Sequence, residues 1–164
     1  MINVEFVPLI IRDKAEVFTL RVDDERETEY RKFILNFNNS KDFYIQDDLH
    51  RIVETIKRIA EGGCLESLFR TEGSVNDRIF ALPLLTLPRN KKYHGTLRIY
   101  CIRVSEQLLI IGGGGLKYTK TYEEDPILLS HIKTLQSIDK ALTELEKDNC
   151  DITTEIYNLN ITIE

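Results

Sequence analysis

The hydrophobic pattern changes period several times along the chain, and each change marks an element. Residues 4–11, Val4-Glu5-Phe6-Val7-Pro8-Leu9-Ile10-Ile11, read as a strand. Pro8 places it at an edge or beside a break, because proline cannot donate to a ladder. Arg12-Asp13-Lys14 is a turn signal, and residues 17–22 read as a second strand, which predicts an N-terminal hairpin over 1–24. Tyr30, Phe33, Ile34 and Phe37 then fall on one helical face and predict a helix over 26–38. Leu49, Ile52, Val53, Ile56, Ile59 and Ala60 predict a second helix over 46–61. Asp47 and Asp48 mark its start, where the helix dipole favours acids, and Gly62-Gly63 its end.

Beyond Gly62 the period becomes that of strands. Three are expected, over 78–83, 97–104 and 108–121, and a polar connection, 87–95, joins the first two. Leu97, Ile99 and Cys101 alternate with Arg98, Tyr100 and Ile102, so one face should enter the core while the other carries Arg98 and Tyr100. Leu108 to Ile111 form a continuous apolar run, as in a central strand, followed by Gly112 to Gly115. Asp125 suits a helix N-cap and Pro126 the first helical position. Leu128, Ile132, Leu135, Ile138, Leu142 and Leu145 continue that helix as a stripe, and residues 157–163 alternate as a closing strand. The expected fold is α+β: a central antiparallel sheet packed against two N-terminal helices and a long C-terminal helix. With 164 residues and no linker or repeat, one domain over 1–164 is expected.

Composition narrows the function classes. No apolar run approaches the roughly 18 residues of a membrane span, and the N-terminus lacks the layout of a secretory signal, so a cytoplasmic protein with no membrane partner is expected. Cys64, Cys101 and Cys150 are widely spaced and match no zinc pattern; no metal or other cofactor is expected. Cys101 reads as a small core residue. There is no Gly-x-Ser-x-Gly elbow. His50 and His131 sit in helical patterns, whereas His94 lies in the basic connection. Glu123-Glu124-Asp125 read as acids at a helix start.

The net charge of −5 conceals an uneven distribution. Residues 1–87 carry −4 and residues 121–164 carry −7, but residues 88–120 carry +6, with Glu106 the one acid. A cluster of one sign is what a polyanion responds to; the competing reading is that these cations pair with the acidic final helix inside the fold. The basic residues are interleaved with aromatics: Arg89, Lys91, Lys92, His94, Arg98, Tyr100, Arg103, Lys117, Tyr118, Lys120 and Tyr122. Cations neutralise phosphates and aromatic faces stack on unpaired bases.

The element order, together with the text of Leu97-Arg98-Ile99-Tyr100-Cys101-Ile102-Arg103, Leu108-Leu109-Ile110-Ile111 and Gly115-Leu116-Lys117-Tyr118-Thr119-Lys120-Thr121, resembles the RelE/ParE/HigB toxin superfamily. The similarity runs in order over about residues 26–140 and in detail over 97–121. It implies a RelE-like core over 25–147, extended by the hairpin 1–24 and a strand within 151–164. It implies a toxin of a toxin–antitoxin pair that binds RNA or the ribosome and cleaves mRNA as an endoribonuclease, countered by a small helix-turn-helix antitoxin. By that match Arg98, Lys117, Lys120 and Tyr100 are the catalytic candidates. Arg89, Lys91, Lys92, His94, Arg103, Tyr118 and Tyr122 are the RNA-binding ones. The chain departs from the family in its length, its acidic net charge and its glycine run. Two further readings stay open: a non-catalytic protein-binding or regulatory module of the same fold, and a nucleotide-binding protein that uses Gly112 to Gly115. The glycine run lacks the Gly-Lys-Ser/Thr of a phosphate loop and serves equally for a bend.

Overall fold

A computed structural model describes residues 1–71, 78–118 and 125–164. The fold is α+β. Strands β1 (Ile2–Ile11) and β2 (Glu16–Val22) form the expected hairpin, followed by helices α1 (Glu29–Phe37) and α2 (Phe43–Gly62). Strands β3 (Arg70–Thr71), β4 (Ile79–Leu82), β5 (Thr96–Ser105) and β6 (Leu108–Lys117) come next, then helix α3 (Pro126–Lys147), a short α4 (Ile152–Glu155) and β7 (Asn160–Ile163).

The seven strands of the described residues join one sheet in the order β3-β4-β5-β6-β2-β1-β7. The expected sheet was antiparallel and was built from the three middle strands alone. The structure corrects this: the N-terminal hairpin docks on β6, and β2 runs parallel to it, with Val17 opposite Leu109 and Thr19 opposite Ile111. Two antiparallel blocks thereby become one mixed sheet. Buried Thr19 fastens the junction. Its Oγ1 donates to the Ile111 carbonyl (2.9 Å) and accepts from the Tyr30 N–H (3.2 Å), which also ties in α1. Pro8 sits on β1 beyond the stretch Ile2–Glu5 that β7 covers, so its missing N–H leaves no gap in that pairing. The register slips between Pro8 and Ile10.

The sheet is covered on both faces. Against α1 and α2 lie Val17, Leu97, Ile99, Cys101, Leu109 and Ile111. Against α3 and α4 lie Phe18, Leu20, Tyr100, Ile102, Leu108 and Ile110. The alternation read in β5 is correct, but its second face is not open: Arg98 and Tyr100 lie on a buried strand. The stripe Leu128, Ile132, Leu135, Ile138 and Leu142 covers that side, and each of these side chains is almost wholly buried. Burial on this scale contributes about 1.5–3 kcal/mol per side chain.

Helix starts follow the capping chemistry. Asp125 caps α3, its carboxylate accepting from the N–H of Ile127 (2.9 Å) and Leu128 (3.2 Å), with Pro126 first in the helix. Helix α2 begins earlier than the acids at 47 and 48 suggest. Its N-cap is Asp42, which accepts from Tyr44 N–H at 2.8 Å. Asp48 instead sits inside the helix with a buried side chain.

The four glycines belong to β6 and form no loop. Ile99 pairs with Gly114 but Cys101 with Ile111, so β6 carries one extra residue there, a β-bulge. A Cβ on Gly114 would overlap the Arg98 carbonyl, and one on Gly112 would come within 2.8 Å of Leu135. Side chains are absent here because β5 and α3 come too close to admit them. No helix among the described residues is long and apolar enough to cross a membrane.

Candidate nucleic-acid interface

The connection between β4 and β5 is held by a buried ion pair. Asp48 points from α2, and Arg89 meets it bidentately, Nη1 to Oδ2 and Nη2 to Oδ1 both at 2.7 Å. The two side chains are 1% and 0% exposed. Asp48 also accepts from the Leu97 N–H (3.0 Å) at the start of β5, while Arg89 donates to the carbonyls of Leu87 (3.1 Å) and Gly95 (3.1 Å). The guanidinium lies 4.8 Å from the centre of the Tyr44 ring. One arginine thus ties α2, the loop and β5 together. Removing one member of such a pair leaves an uncompensated charge and typically costs about 3–5 kcal/mol.

A surface is assembled above this clamp. Tyr44 packs against His94 at 4.8 Å between ring centres, and Phe43 against Tyr44 at 5.8 Å. His94 Nδ1 lies 3.4 Å from Asp42 Oδ2. Burial works to raise the Asp42 pKa, but hydrogen bonds from Tyr44 N–H, His94 and Ile45 N–H together bring it below the usual carboxylate value. The loop bearing His94 is a tight turn: Asn90 accepts from Tyr93 N–H (3.1 Å) and His94 N–H (2.9 Å) through its carbonyl, and from Lys92 N–H (3.0 Å) through its side chain. Lys91, Lys92 and Tyr93 project from this turn as exposed residues, and Lys92 Nζ is 5.6 Å from the Tyr93 ring centre. At the end of β6, the Tyr118 ring covers Gly95, where a Cβ would stand 2.9 Å from it. Phe43, Tyr93 and Tyr118 are each more than half exposed. Open aromatic faces beside lysines suit unpaired bases and their phosphates, each stacked base being worth about 1–3 kcal/mol.

The residues singled out from sequence separate into groups. Lys91, Lys92, His94 and Tyr118 come together on this surface, and Arg89 lies beneath it as the clamp, not as a phosphate ligand. Lys117 is half-buried at the same end, opposite Thr96. Arg98 is 4% exposed, with Nη1 donating to the carbonyls of Pro83 (3.4 Å) and Leu97 (3.3 Å), and Tyr100 is 0% exposed. Neither reaches the surface: Tyr100 packs in the cluster of the α3 stripe, and Arg98 is held against Pro83 and Leu97. Arg103 belongs to the opposite end of β5, where Nε donates to the Cys64 carbonyl at 2.7 Å and Nη1 to Glu66 at 3.4 Å. Lys120, Tyr122, Glu123 and Glu124 lie outside the described residues. Cys101 is a core residue, as read, and burial pushes its thiol pKa well up; burial likewise pushes that of Cys64 up to about 12. Neither thiol is poised as a thiolate nucleophile.

Phe43, Tyr44 and Asp42 were not read as site residues. A signal was available in Asp42-Phe43-Tyr44, a capping residue followed by two aromatics, one of which sits exposed at a helix start. No protein-family model matches the chain, and comparisons with curated proteins and with solved structures return no match.

Proposed function

We propose that this chain is a RelE-like toxin that binds single-stranded RNA on the aromatic–basic surface formed by Phe43, Tyr44, Lys91, Lys92, Tyr93, His94 and Tyr118. The observation that carries the reading is the exposure of the Phe43, Tyr93 and Tyr118 rings, with Lys92 over Tyr93, around a turn braced by a buried ion pair. Rigid, open rings of this kind stack on bases without sequence preference, and the lysines supply the salt-dependent part of affinity. The RelE-like element stands on the order of helices and strands from α1 to α3 and on the basic–aromatic text of β5 and β6. Its partner would be a small helix-turn-helix antitoxin whose acidic segment covers the 90–95 turn and Tyr118, and acidity there would speed encounter.

Fluorescence anisotropy with a labelled single-stranded RNA tests the binding. Lys91→Glu with Lys92→Glu should weaken it and lower the slope of log affinity against log salt by about 1.4, at about 0.7 per lost cation contact. Unchanged affinity and slope would remove the surface from RNA binding. Induced expression tests the toxin reading, with growth arrest expected from the wild type and relief from the double variant.

A second reading has one observation in its favour. Arg98 and Tyr100, two of the catalytic positions that the resemblance implies, are buried. A non-catalytic binding module of the same fold would need neither at the surface. It predicts binding with no change in the length of the RNA.

A further inference from the structure

We infer that His94 is the proton-transfer residue of this surface, held by Asp42, and that the reaction it serves is cleavage of single-stranded RNA by the RNA's own 2′-hydroxyl. The inference rests on the RNA-binding reading above and moves the chemistry from the buried Arg98–Tyr100 pair to the surface.

Three observations place His94 in this role. Its Nδ1 faces the Asp42 carboxylate at 3.4 Å, and Asp42 is itself fixed by capping α2 through the N–H groups of Tyr44 (2.8 Å) and Ile45 (3.4 Å). Its backbone is held by Asn90 and its ring by Tyr44, so the imidazole cannot swing freely. Its side chain is nevertheless 39% exposed. A carboxylate at Nδ1 favours the tautomer with the proton on that nitrogen, which leaves Nε2 with a lone pair for a substrate. The charged groups around the ring are Asp42, the buried Arg89 below Tyr44, and Lys91 and Lys92 on the same turn.

The step balances without a cofactor. Nε2 takes the proton of a 2′-hydroxyl, whose oxygen bonds to the adjacent phosphorus. The bond from phosphorus to the 5′-oxygen breaks, leaving a 2′,3′-cyclic phosphate. The departing 5′-oxygen takes a proton from water, and the hydroxide so formed receives the proton held by His94. Lys91 and Lys92 neutralise the charge that builds on the phosphorane, while Tyr93 and Tyr118 stack the flanking bases.

The test uses the full chain with a 5′-labelled single-stranded RNA, free in EDTA and, separately, as mRNA on purified ribosomes in magnesium-containing buffer. The expected product ends in a 2′,3′-cyclic phosphate. His94→Gln should lower the single-turnover rate, measured with protein saturating over RNA so that binding is not read, about 10²–10⁴-fold. Asp42→Asn keeps a good N-cap, so a merely structural Asp42 would leave the saturating single-turnover rate in place, whereas a positioning Asp42 would lower that rate with the denaturant midpoint unchanged. His50→Gln, on the exposed side of α2, should cleave as wild type. An RNA with a single 2′-deoxy nucleotide at the cleaved position should bind uncut. Wild-type cleavage by His94→Gln overturns the assignment, and so does RNA that is bound but cut in neither setting. Absence of RNA binding by the wild type overturns the binding proposal itself.

Discussion

At one end of the β5–β6 pair, Thr96 faces Lys117, and the strands run out into the 90–95 turn and Tyr118. At the other end, Ser105 faces Leu108 across a two-residue turn whose backbone is tied to neighbouring segments. There the carbonyl of Glu106 accepts from Cys64 N–H (2.7 Å), that of Gln107 from Glu16 N–H (2.8 Å), and Arg103 donates to Cys64. Both ends use arginine to fix a neighbouring segment. Among the described residues, the first end adds exposed aromatics and lysines. The difference shows that a basic residue in this sheet is read by its depth: Arg89 and Arg103 brace, whereas Lys91 and Lys92 are available. A charge count over residues 88–120 cannot separate these roles, because it adds buried and exposed cations together.

The largest expected effect comes from undermining the open end. Asp48→Ala leaves Arg89 buried without its counter-charge and should destabilise the fold by about 3–5 kcal/mol, read as a lower denaturant midpoint. Asp48→Leu with Arg89→Met should recover most of that stability, since apolar replacement of a buried pair is often neutral. It should not recover RNA affinity, because Tyr44 loses the cation beneath it and the turn loses two carbonyl anchors. Recovery of both would mean that the clamp plays no part in shaping the surface.

The next effect separates the ends from each other. Tyr93→Ala with Tyr118→Ala should reduce RNA affinity by about 1–3 kcal/mol per stacked base and leave the denaturant midpoint almost unchanged, since both rings are mostly exposed. Arg103→Ala should do the reverse, costing about 1.5–3 kcal/mol of stability for hydrogen bonds from a charged group and leaving RNA affinity as it was. An RNA defect in Arg103→Ala without unfolding would extend the interface to the sealed end.

Local patterns carried much of the fold into the sequence. The stripe from Leu128 to Leu142 and the Asp125-Pro126 start are local chemistry, and both are found where they were read. What escaped is non-local. Asp48 resembles a first-turn helix acid until Arg89, forty-one residues away, claims it. The parallel β2–β6 pairing joins segments 92 residues apart through Thr19 and Ile111. Arg98 and Tyr100 alternate correctly with the core, but polarity alone does not reveal that a helix lies over them. The site was legible as a composition of lysine, tyrosine and histidine on the 89–95 connection. Its other wall, Asp42 to Tyr44, is supplied by a helix more than forty residues upstream.

The smallest predicted effect lies between the two ends, at the glycine strand. His131 on α3 sits against Gly113, where a Cβ would be 2.5 Å from its Nδ1, and Glu29 comes close to the same point. Burial lowers the His131 pKa from its ordinary 6.5; Glu29 pulls it up and Lys32 pushes it down. The folded protein therefore binds this proton less readily than the unfolded chain. Between the ordinary value and the lower folded value, the unfolded state holds more protons, so stability rises with pH across that window. The neutral imidazole is fully accommodated above about pH 7, and its stability contribution is lost as pH falls below the ordinary histidine value. Denaturant midpoints measured from pH 7.5 down to about pH 5.5 should decline for the wild type and decline less for His131→Gln, which cannot take up the proton. Helices α1 and α3 would share the strain, since Lys32 already holds Glu25 (2.6 Å) and Glu29 (3.1 Å) beside the ring. A variant that follows the wild-type curve would assign the acid sensitivity to another group and leave the packing of His131 on Gly113 indifferent to charge.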